Sequence, residues 1–364
     1  MRTLLITMLA CMMALVSACN REKPMTEQEK ATIRALTTEL ETRCVGRYLI
    51  DLPKDIRTFG DSFIEGVTFE AIPASKAEFL QNISAREANL KSLVNLAGGY
   101  RVLYEHGVVP AITDSYYFVS LESPEGADSD MPRIVEAYRW DRGYQIKLQS
   151  KATDMVNSVY VRENKGTPYG IHGELINDVP EKKRLVFGLL GRVEGRDEAA
   201  IPTVPGVCFL GGFLHGPAGE KEELSGQYYL RDKQDVNFVL ETTSFIHEET
   251  TLLQRGDSIN DALKERNGHT VRKGVVDLPG MQAEEWLMAG TTYLYIPGHH
   301  FVLEANSKAG SALTPLVELD LDNGDILPDD WQGDPPRKAS LTENEAVALW
   351  DAVSRTLRPR PNGF

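Results

Sequence analysis

The chain has 364 residues, of which 42% are hydrophobic and 25% are charged, and this is the composition of a globular protein long enough for two domains. Its formal net charge of -14 argues against nucleic acid as a partner, because phosphate binding needs clustered lysine and arginine. The same charge argues against a body that lies flat on anionic lipid, and it suits a basic protein partner.

The N-terminus has the pattern of a bacterial lipoprotein signal. Arg2 is followed by an apolar run over residues 4–15, and small residues directly precede Cys19. The run is too short for a spanning helix, which needs about 20 residues. We therefore expect residues 1–18 to be a signal peptide and Cys19 to carry the lipid; an ordinary secretory signal is the alternative. Asn20, in place of an aspartate, favours the outer membrane, with the body in the periplasm.

The remaining cysteines predict a disulfide. Cys11 leaves with the signal peptide and Cys19 is the lipid site, so Cys44 and Cys208 are left in an oxidising compartment. Exported free thiols are a liability, which favours a Cys44–Cys208 bridge. Two buried free thiols are the alternative.

An N-terminal α+β domain is expected over residues 42–195, after a polar tether over residues 19–41. A capping-box pattern at Thr26 predicts one short helix within the tether, which would space the body from the membrane. Helices of the domain are predicted to begin near Ser75 and Asp178. Alternating apolar residues and flanking turn residues predict strands at residues 44–52, 67–72, 100–104, 116–121, 134–140 and 144–148.

A second α+β domain is expected over residues 207–364, after a linker over residues 196–206. Helices are predicted at residues 251–266 and after Thr342. Strands are predicted at residues 207–214, 226–230, 236–242, 271–278, 283–288, 301–305 and 316–321. Both halves then have the order strands, helix, strands, helix, which suggests two similar domains and an ancient duplication. The alternative is a chance likeness between two mixed α+β segments.

One string resembles an enzyme motif. Residues 59–66 contain Gly60-Asp61-Ser62, as in the first block of the GDSL-type hydrolases, where the serine is the nucleophile. That chemistry needs a histidine that takes the serine proton and an acid that orients the histidine. None of the seven histidines follows an aspartate at the family's spacing. A plain turn is therefore the expected structure, and no catalytic residue is assigned.

The sequence predicts no metal site and no cofactor. His299 and His300 are adjacent on a predicted strand, so their side chains point to opposite faces and cannot easily share one metal. The acidic segment with Asp320, Asp322 and Asp325 hints at calcium, but its spacing fails the EF-hand pattern, so a solvated turn is expected. Asn323 lies in the same segment.

The loop over residues 329–336 contains Trp331. We expect this loop to pack on its own domain. An exposed aromatic anchor for a partner is the alternative.

Three stretches carry a resemblance to a known family. Residues 42–53, 206–213 and the tail, 348–351 with 357–361, resemble the immunity proteins paired with the fourth family of type VI secretion lipase effectors. The likeness spans nearly the whole mature chain. These motifs contain no reactive chemistry, so they identify a family rather than a mechanism.

The resemblance implies a periplasmic protein whose two α+β domains are set like a claw. It also implies that the chain binds a cognate phospholipase near its lid, inhibits it and so protects the cell from its own toxin. No partner-contacting residue can be matched to a position here. Two other hypotheses stay open: an envelope-assembly or scaffolding lipoprotein, and a GDSL-type hydrolase using Ser62.

Overall fold

The chain folds into two successive α+β units, which the computed structural model describes over residues 24–167, 170–325, 327–328 and 330–364. The predicted α+β class is confirmed. Cys19 and the predicted signal peptide lie outside the described residues. None of the helices in the described ranges is long and apolar enough to cross a membrane.

The first unit begins with a helix and ends with a short strand. Its elements are α1 (Glu27–Thr37), β1 (Leu40–Val45), β2 (Tyr48–Pro53), β3 (Ile56–Ile64), β4 (Val67–Pro73), α2 (Lys76–Ser92), β5 (Leu103–Gly107), β6 (Ser115–Leu121), β7 (Pro132–Asp141), β8 (Tyr144–Thr153), α3 (Val159–Glu163), α4 (Val179–Leu190) and β9 (Val193–Gly195).

The second unit repeats that order without the first helix and without α3. Its elements are β10 (Gly206–Phe209), β11 (Gly212–His215), β12 (Glu222–Leu230), β13 (Lys233–Thr243), α5 (Gly256–Glu265), β14 (His269–Leu278), β15 (Met281–Thr291), β16 (Pro297–Ala305), β17 (Leu316–Asn323), α6 (Glu343–Ser354) and β18 (Arg358–Pro359). A 3-10 turn at Leu253–Arg255 leads into α5.

Most strands of both units belong to one antiparallel sheet of 12 strands. The first unit supplies the order β5-β6-β7-β8-β4-β3, and the second continues with β12-β13-β17-β16-β15-β14. The units meet where β3 pairs with β12 along its whole length, with Gly60 opposite Gly226 at the centre. Each unit therefore has the same strand order, and two equivalent strands pair at the junction.

The sheet opens beside this junction, because β3 and β4 pair only near their shared turn, through Phe63 with Thr68 and Ile64 with Val67. The tip of the β10–β11 hairpin lies in the opening. A Cβ atom on Gly60 would lie 3.3 Å from the Cβ of Leu210. Glycine at position 60 thus permits the close approach of this hairpin.

The two units exchange their last strands. Strand β9 of the first unit pairs with β11 of the second, and β18 of the second pairs with β2 of the first. The backbone amides of Arg196 and Arg360, which follow these strands, donate to the carbonyl oxygens of Gly211 and Arg47. Each unit is therefore completed by the other, and the fold interlocks.

A disulfide closes the same region. Cys44 in β1 and Cys208 in β10 are bonded, with their Cα atoms 5.7 Å apart and a sequence separation of 164. The backbones of Gly46 and Cys208 exchange two hydrogen bonds of 2.9 and 2.8 Å beside it. The bridge therefore links equivalent hairpins of the two units.

The hydrophobic core runs continuously along one side of the sheet. Helices α4 and α6 pack on this side, where Trp350 of α6 is fully buried. Ile33 and Leu36 of α1 pack against the same core, and the hydroxyl of Thr342 donates to Glu29 at 2.7 Å. Helix α1, which was expected within the tether, is therefore part of the folded body.

Candidate functional site

The side of the sheet opposite the core carries exposed aromatic rings between two flanking helices. Directly opposed residues in antiparallel strands point to the same face, so the register places Phe59 beside Gln227 and Asp320 beside Val239. Phe59 and Phe63 are 37% and 42% exposed. We call this surface the open face, and its central residues are Phe59, Phe63, Gln227, Glu241, Glu318 and Asp320.

Three glutamates lie side by side on the open face. Glu241, Glu318 and Glu304 are direct cross-strand partners on β13, β17 and β16. Like charges directly opposite each other destabilise a sheet. Glu304 binds Arg255, whereas Glu318 makes no hydrogen bond or ion pair with any described residue. Burial, with the charges of Glu304 and Glu241, raises the pKa of Glu318 to about 7.

The helices that flank the open face pack very differently. In the first unit Phe79, Ile83 and Leu90 of α2 are buried against Phe118 and Tyr138 of the sheet. In the second unit the shorter α5 buries no residue. The two helices stand on the same side of the sheet, and this two-armed arrangement agrees with the claw that the resemblance implies.

A cavity of about 460 Å³ separates α5 from the sheet. Ile259, Ala262 and Leu263 of α5 form one wall, and His300, Asp320 and Asp322 lie across the cavity on the strands. We call this cavity the carboxylate pocket; its remaining lining residues are Val239, Arg266, Met288, Ala289, Gly290, Thr291, Thr292, Tyr293, His299 and Asp325. Such a size is within the range of ligand-binding pockets.

Asp320 of the carboxylate pocket has a buried oxygen without a hydrogen-bond partner among the described residues. Burial raises its pKa to about 7; the charges of Asp322 and Glu318 add to this effect, and His300 opposes it. One carboxylate oxygen, Oδ1, is buried without a hydrogen-bond partner in the described structure. A buried polar group without a partner is costly, so an external donor at this position would stabilise the protein.

His300 lies at the mouth of the pocket and pairs with Asp322, with 2.7 Å between Nδ1 and Oδ1. Burial alone would lower the pKa of His300, but the hydrogen bond and charge of Asp322 outweigh it and raise the pKa above its ordinary value. Asp322 is therefore occupied internally. Asp325 accepts a hydrogen bond from the backbone amide of Tyr293 at 2.5 Å. Asp320 has no such partner.

The structure does not support a hydrolase site at Ser62. Gly60, Asp61 and Ser62, which were expected to form a turn, lie in strand β3, so this prediction was wrong. Ser62 faces the core side of the sheet opposite Leu224 and is 6% exposed. Within the described residues it makes no hydrogen bond to a histidine. An activated serine needs that contact.

The acidic segment is a strand rather than a solvated turn. Asp320 and Asp322 lie within β17, and only Asp325 follows it. Asn323 donates to His299, which is on the opposite face from His300. Across the described part of the chain, no group of three or more His, Cys, Asp or Glu side chains is placed to hold a metal ion.

Two family models match most of the chain. The model of the Tle cognate immunity protein 4 N-terminal domain matches residues 41–196, and that of the C-terminal domain matches residues 200–362. The chain belongs to the Tle cognate immunity protein 4 family. The suspected relationship to immunity proteins of type VI lipase effectors is therefore confirmed. No curated protein matches the sequence.

Solved structures have the same fold at low sequence identity. The apo immunity protein TplEi of the T6SS of Pseudomonas aeruginosa is 19% identical, covers 89% of this chain and 98% of its own, and has a TM-score of 0.66. The Tle4-Tli4 complex matches at 19% identity, 90% and 99% coverage and a TM-score of 0.67. TplEi with an "L" peptide matches at 19% identity, 89% and 99% coverage and a TM-score of 0.61.

The boundary between the two family models coincides with the strand exchange. The first model ends at Arg196, directly after β9, and the second begins before the β10–β11 hairpin. Residues 196–206, which were expected to be a linker, begin with Arg196, and its buried side chain donates to the carbonyl oxygens of Phe209 and Gly212. The two family domains are thus held together by this guanidinium as well as by the shared sheet.

Proposed function

We propose that this chain binds and inhibits a cognate phospholipase effector of type VI secretion, and that it does so without catalysis. Its family consists of cognate immunity proteins, and a solved relative of the same fold is a complex between two proteins named Tle4 and Tli4. The observation that carries the proposal is the open face. It exposes the rings of Phe59 and Phe63 on β3 and, three strands further along the sheet, presents Asp320, whose Oδ1 has no partner among the described residues. Exposed aromatic rings and unpaired charges are features of a protein-binding surface.

Inhibition by binding requires only that the inhibitor prefers the inactive enzyme. A partner held between α2 and α5 would be contacted by strands from both units, since β3 and β12 cross the centre of the open face. Stable obligate complexes commonly bury more than about 2,000 Å². A closed lipase that is bound more tightly than an open one stays closed, without any chemical step.

We further propose that the mature chain is a periplasmic lipoprotein held by Cys19, most simply at the outer membrane. Because α1 begins at Glu27 and packs on the body, no more than seven residues separate Cys19 from the folded part of the chain, rather than the whole expected tether. A fully extended chain spans about 3.5 Å per residue, so a leash of this length reaches roughly 25 Å. The body is therefore held close to the bilayer that a phospholipase attacks, and tethering raises its local concentration there.

Complex formation tests this function. The soluble body, from residue 20 onward, would be mixed with a candidate phospholipase, sought among the genes beside its own, and analysed by size-exclusion chromatography with light scattering. We expect a stable complex with the summed mass. Two separate peaks at micromolar concentration would contradict the proposal and would favour a scaffolding lipoprotein, whose partners are other envelope proteins.

The lipid anchor has its own test. Mass spectrometry of the membrane-extracted protein should show an acylated N-terminal cysteine, and Cys19→Ser should release the protein into the soluble periplasmic fraction. An unmodified N-terminus in the native protein would show that the anchor is absent, without bearing on inhibitor binding.

A further inference from the structure

The carboxylate pocket contains acceptors that the described protein does not satisfy. Oδ1 of Asp320 has no partner, and neither has Oγ1 of Thr292, a residue that is only 8% exposed and lines the same cavity. The nearby cations are engaged elsewhere, since the guanidinium of Arg266 lies 4.2 Å from the ring centre of Tyr293 and His300 pairs with Asp322. Neither cation donates a hydrogen bond to Oδ1 of Asp320, so this acceptor is left for an external donor.

The repeat within the fold provides an internal comparison. The equivalent space in the first unit is filled by the buried apolar side chains of α2, whereas α5 leaves its side of the sheet uncovered. Filling the second space would need only larger apolar residues on α5. Instead, the floor of the cavity has two aspartates, Asp320 and Asp322, and the cavity remains open. This difference between otherwise similar units indicates a binding role for the cavity.

We propose that the carboxylate pocket receives an arginine or lysine side chain of the protein partner. This inference rests on the proposed function and specifies the chemistry of the contact. The apolar wall of Ile259, Leu263 and Met288 suits the methylene stem of such a side chain, and Asp320 with Thr292 suits its charged head. The net charge of -14 also favours the approach of a basic surface.

Other occupants fit the pocket less well. An anion would face three lining carboxylates, those of Asp320, Asp322 and Asp325. The lining cations are engaged within the protein, Arg266 with Tyr293 and His300 with Asp322. An apolar side chain would leave the carboxylate of Asp320 buried and unpaired, which is costly. Within the described residues no set of ligands is placed for a metal ion. A donor-rich organic cation satisfies both the charge and the free acceptors.

The rim of the pocket offers aromatic contacts to the same partner. Tyr293 lines the rim, and Tyr295, two residues further along the loop, is 89% exposed. Tyrosine is enriched among the few residues that contribute most of the binding energy at protein interfaces. The basic side chain would thus enter between these rings and α5.

The test compares three variants of the soluble body for binding to the candidate phospholipase by calorimetry. Asp320→Asn removes the charge and keeps the shape, and Ala262→Trp obstructs the pocket from α5. Glu125→Gln is the matched control, because it removes one exposed carboxylate from a loop of the first unit. We expect the dissociation constant to rise roughly 10- to 100-fold for the first two variants and to stay within about twofold for the control.

Stability measurements separate lost binding from misfolding. Because Asp320 lacks a partner in the free protein, Asp320→Asn should melt at a higher temperature than wild type while it binds more weakly. A purely structural aspartate would show the opposite change in melting temperature. Wild-type affinity in both pocket variants would overturn the inference even if the lipase complex itself is stable.

A second arm makes the pocket testable if no lipase complex forms. The probe is N-acetyl-arginine amide, and its neutral control is the citrulline analogue. We expect the arginine probe to change chemical shifts only at residues of the carboxylate pocket, and we expect Asp320→Asn to abolish these changes. This result would support a cation-binding site even if the proposed function is wrong. Equal responses to both probes, or none, would overturn the site.

Discussion

The Cys44–Cys208 bridge should supply a large part of the protein's stability. The bond joins equivalent hairpins of the two units across a sequence separation of 164. A crosslink stabilises mainly by reducing the entropy of the unfolded chain, and for a loop of this length the chain-entropy relation gives about 5 kcal/mol at 25 °C. Losses measured for native bridges are commonly about 2–5 kcal/mol, so we expect removal to cost about 3–5 kcal/mol.

The perturbation is the double variant Cys44→Ala, Cys208→Ala. Alanine is suitable because the sulfurs lie in a small apolar cluster with Leu49 and Phe213, where a hydroxyl would lack a partner. The free energy of unfolding would be measured by urea denaturation with linear extrapolation, for oxidised wild type, reduced wild type and the double variant. Mass analysis under non-reducing conditions would establish the bond in the starting material.

The reduced protein and the double variant should agree within about 1 kcal/mol, since both lack the same crosslink. Both should still fold, because the exchanged strands and the shared sheet remain. If the double variant unfolds within 1 kcal/mol of oxidised wild type, or if native protein contains two free thiols, the entropic reasoning is wrong for this chain.

Three further outcomes follow from the structure. Arg47→Met should lower the free energy of unfolding by about 3–5 kcal/mol in urea denaturation, because Glu222, its partner in a buried ion pair of 2.7 Å, is left without a cation. A loss below 1 kcal/mol would refute this. Asp320→Asn should be more stable than wild type, because the raised pKa of Asp320 makes its ionisation costly in the folded state. The difference in unfolding free energy should grow from pH 4 to pH 7, reach at most about 4 kcal/mol and stay constant above pH 7. Equal stability of the two proteins at every pH in urea denaturation would contradict this. The first unit, expressed without the second, should show no cooperative unfolding transition by circular dichroism. It loses β12, which pairs with β3, and β18, which pairs with β2. A sharp transition would show that this unit folds alone.

Local signals in the sequence were sufficient for several elements. The capping boxes at Thr26, Ser75 and Thr342 each begin a helix, because a cap depends on residues within one turn. The alternation at residues 67–72 correctly predicted β4. The repeated order of elements was also visible, and the structure adds that the two halves share one strand order.

Non-local contacts explain the errors. Gly60, Asp61 and Ser62 are turn formers, so the sequence favoured a turn, yet they lie in the middle of a strand. The glycine is needed because Leu210, distant in sequence, approaches its backbone, and that approach is invisible in a local window. The predicted strand over residues 44–52 is two strands, since Gly46 adopts a left-handed φ of 57° and turns the chain.

The candidate site was hidden for the same reason. Asp320 and Asp322 look like a solvated acidic turn in the sequence, and their position on a sheet face depends on the pairing of β17 with β13 and β16. The lack of buried residues on α5 is also a tertiary property, because its apolar residues have ordinary helical spacing. Only the comparison with α2 shows that the space beneath α5 is left open.

The most direct test of the account is a titration of phospholipase activity. The candidate phospholipase would be assayed on phospholipid vesicles while the soluble body is added in increasing amounts. We predict a linear loss of activity that reaches completion at one inhibitor per enzyme. Full activity in the presence of excess inhibitor, with both proteins folded, would contradict the claim that this chain protects by binding.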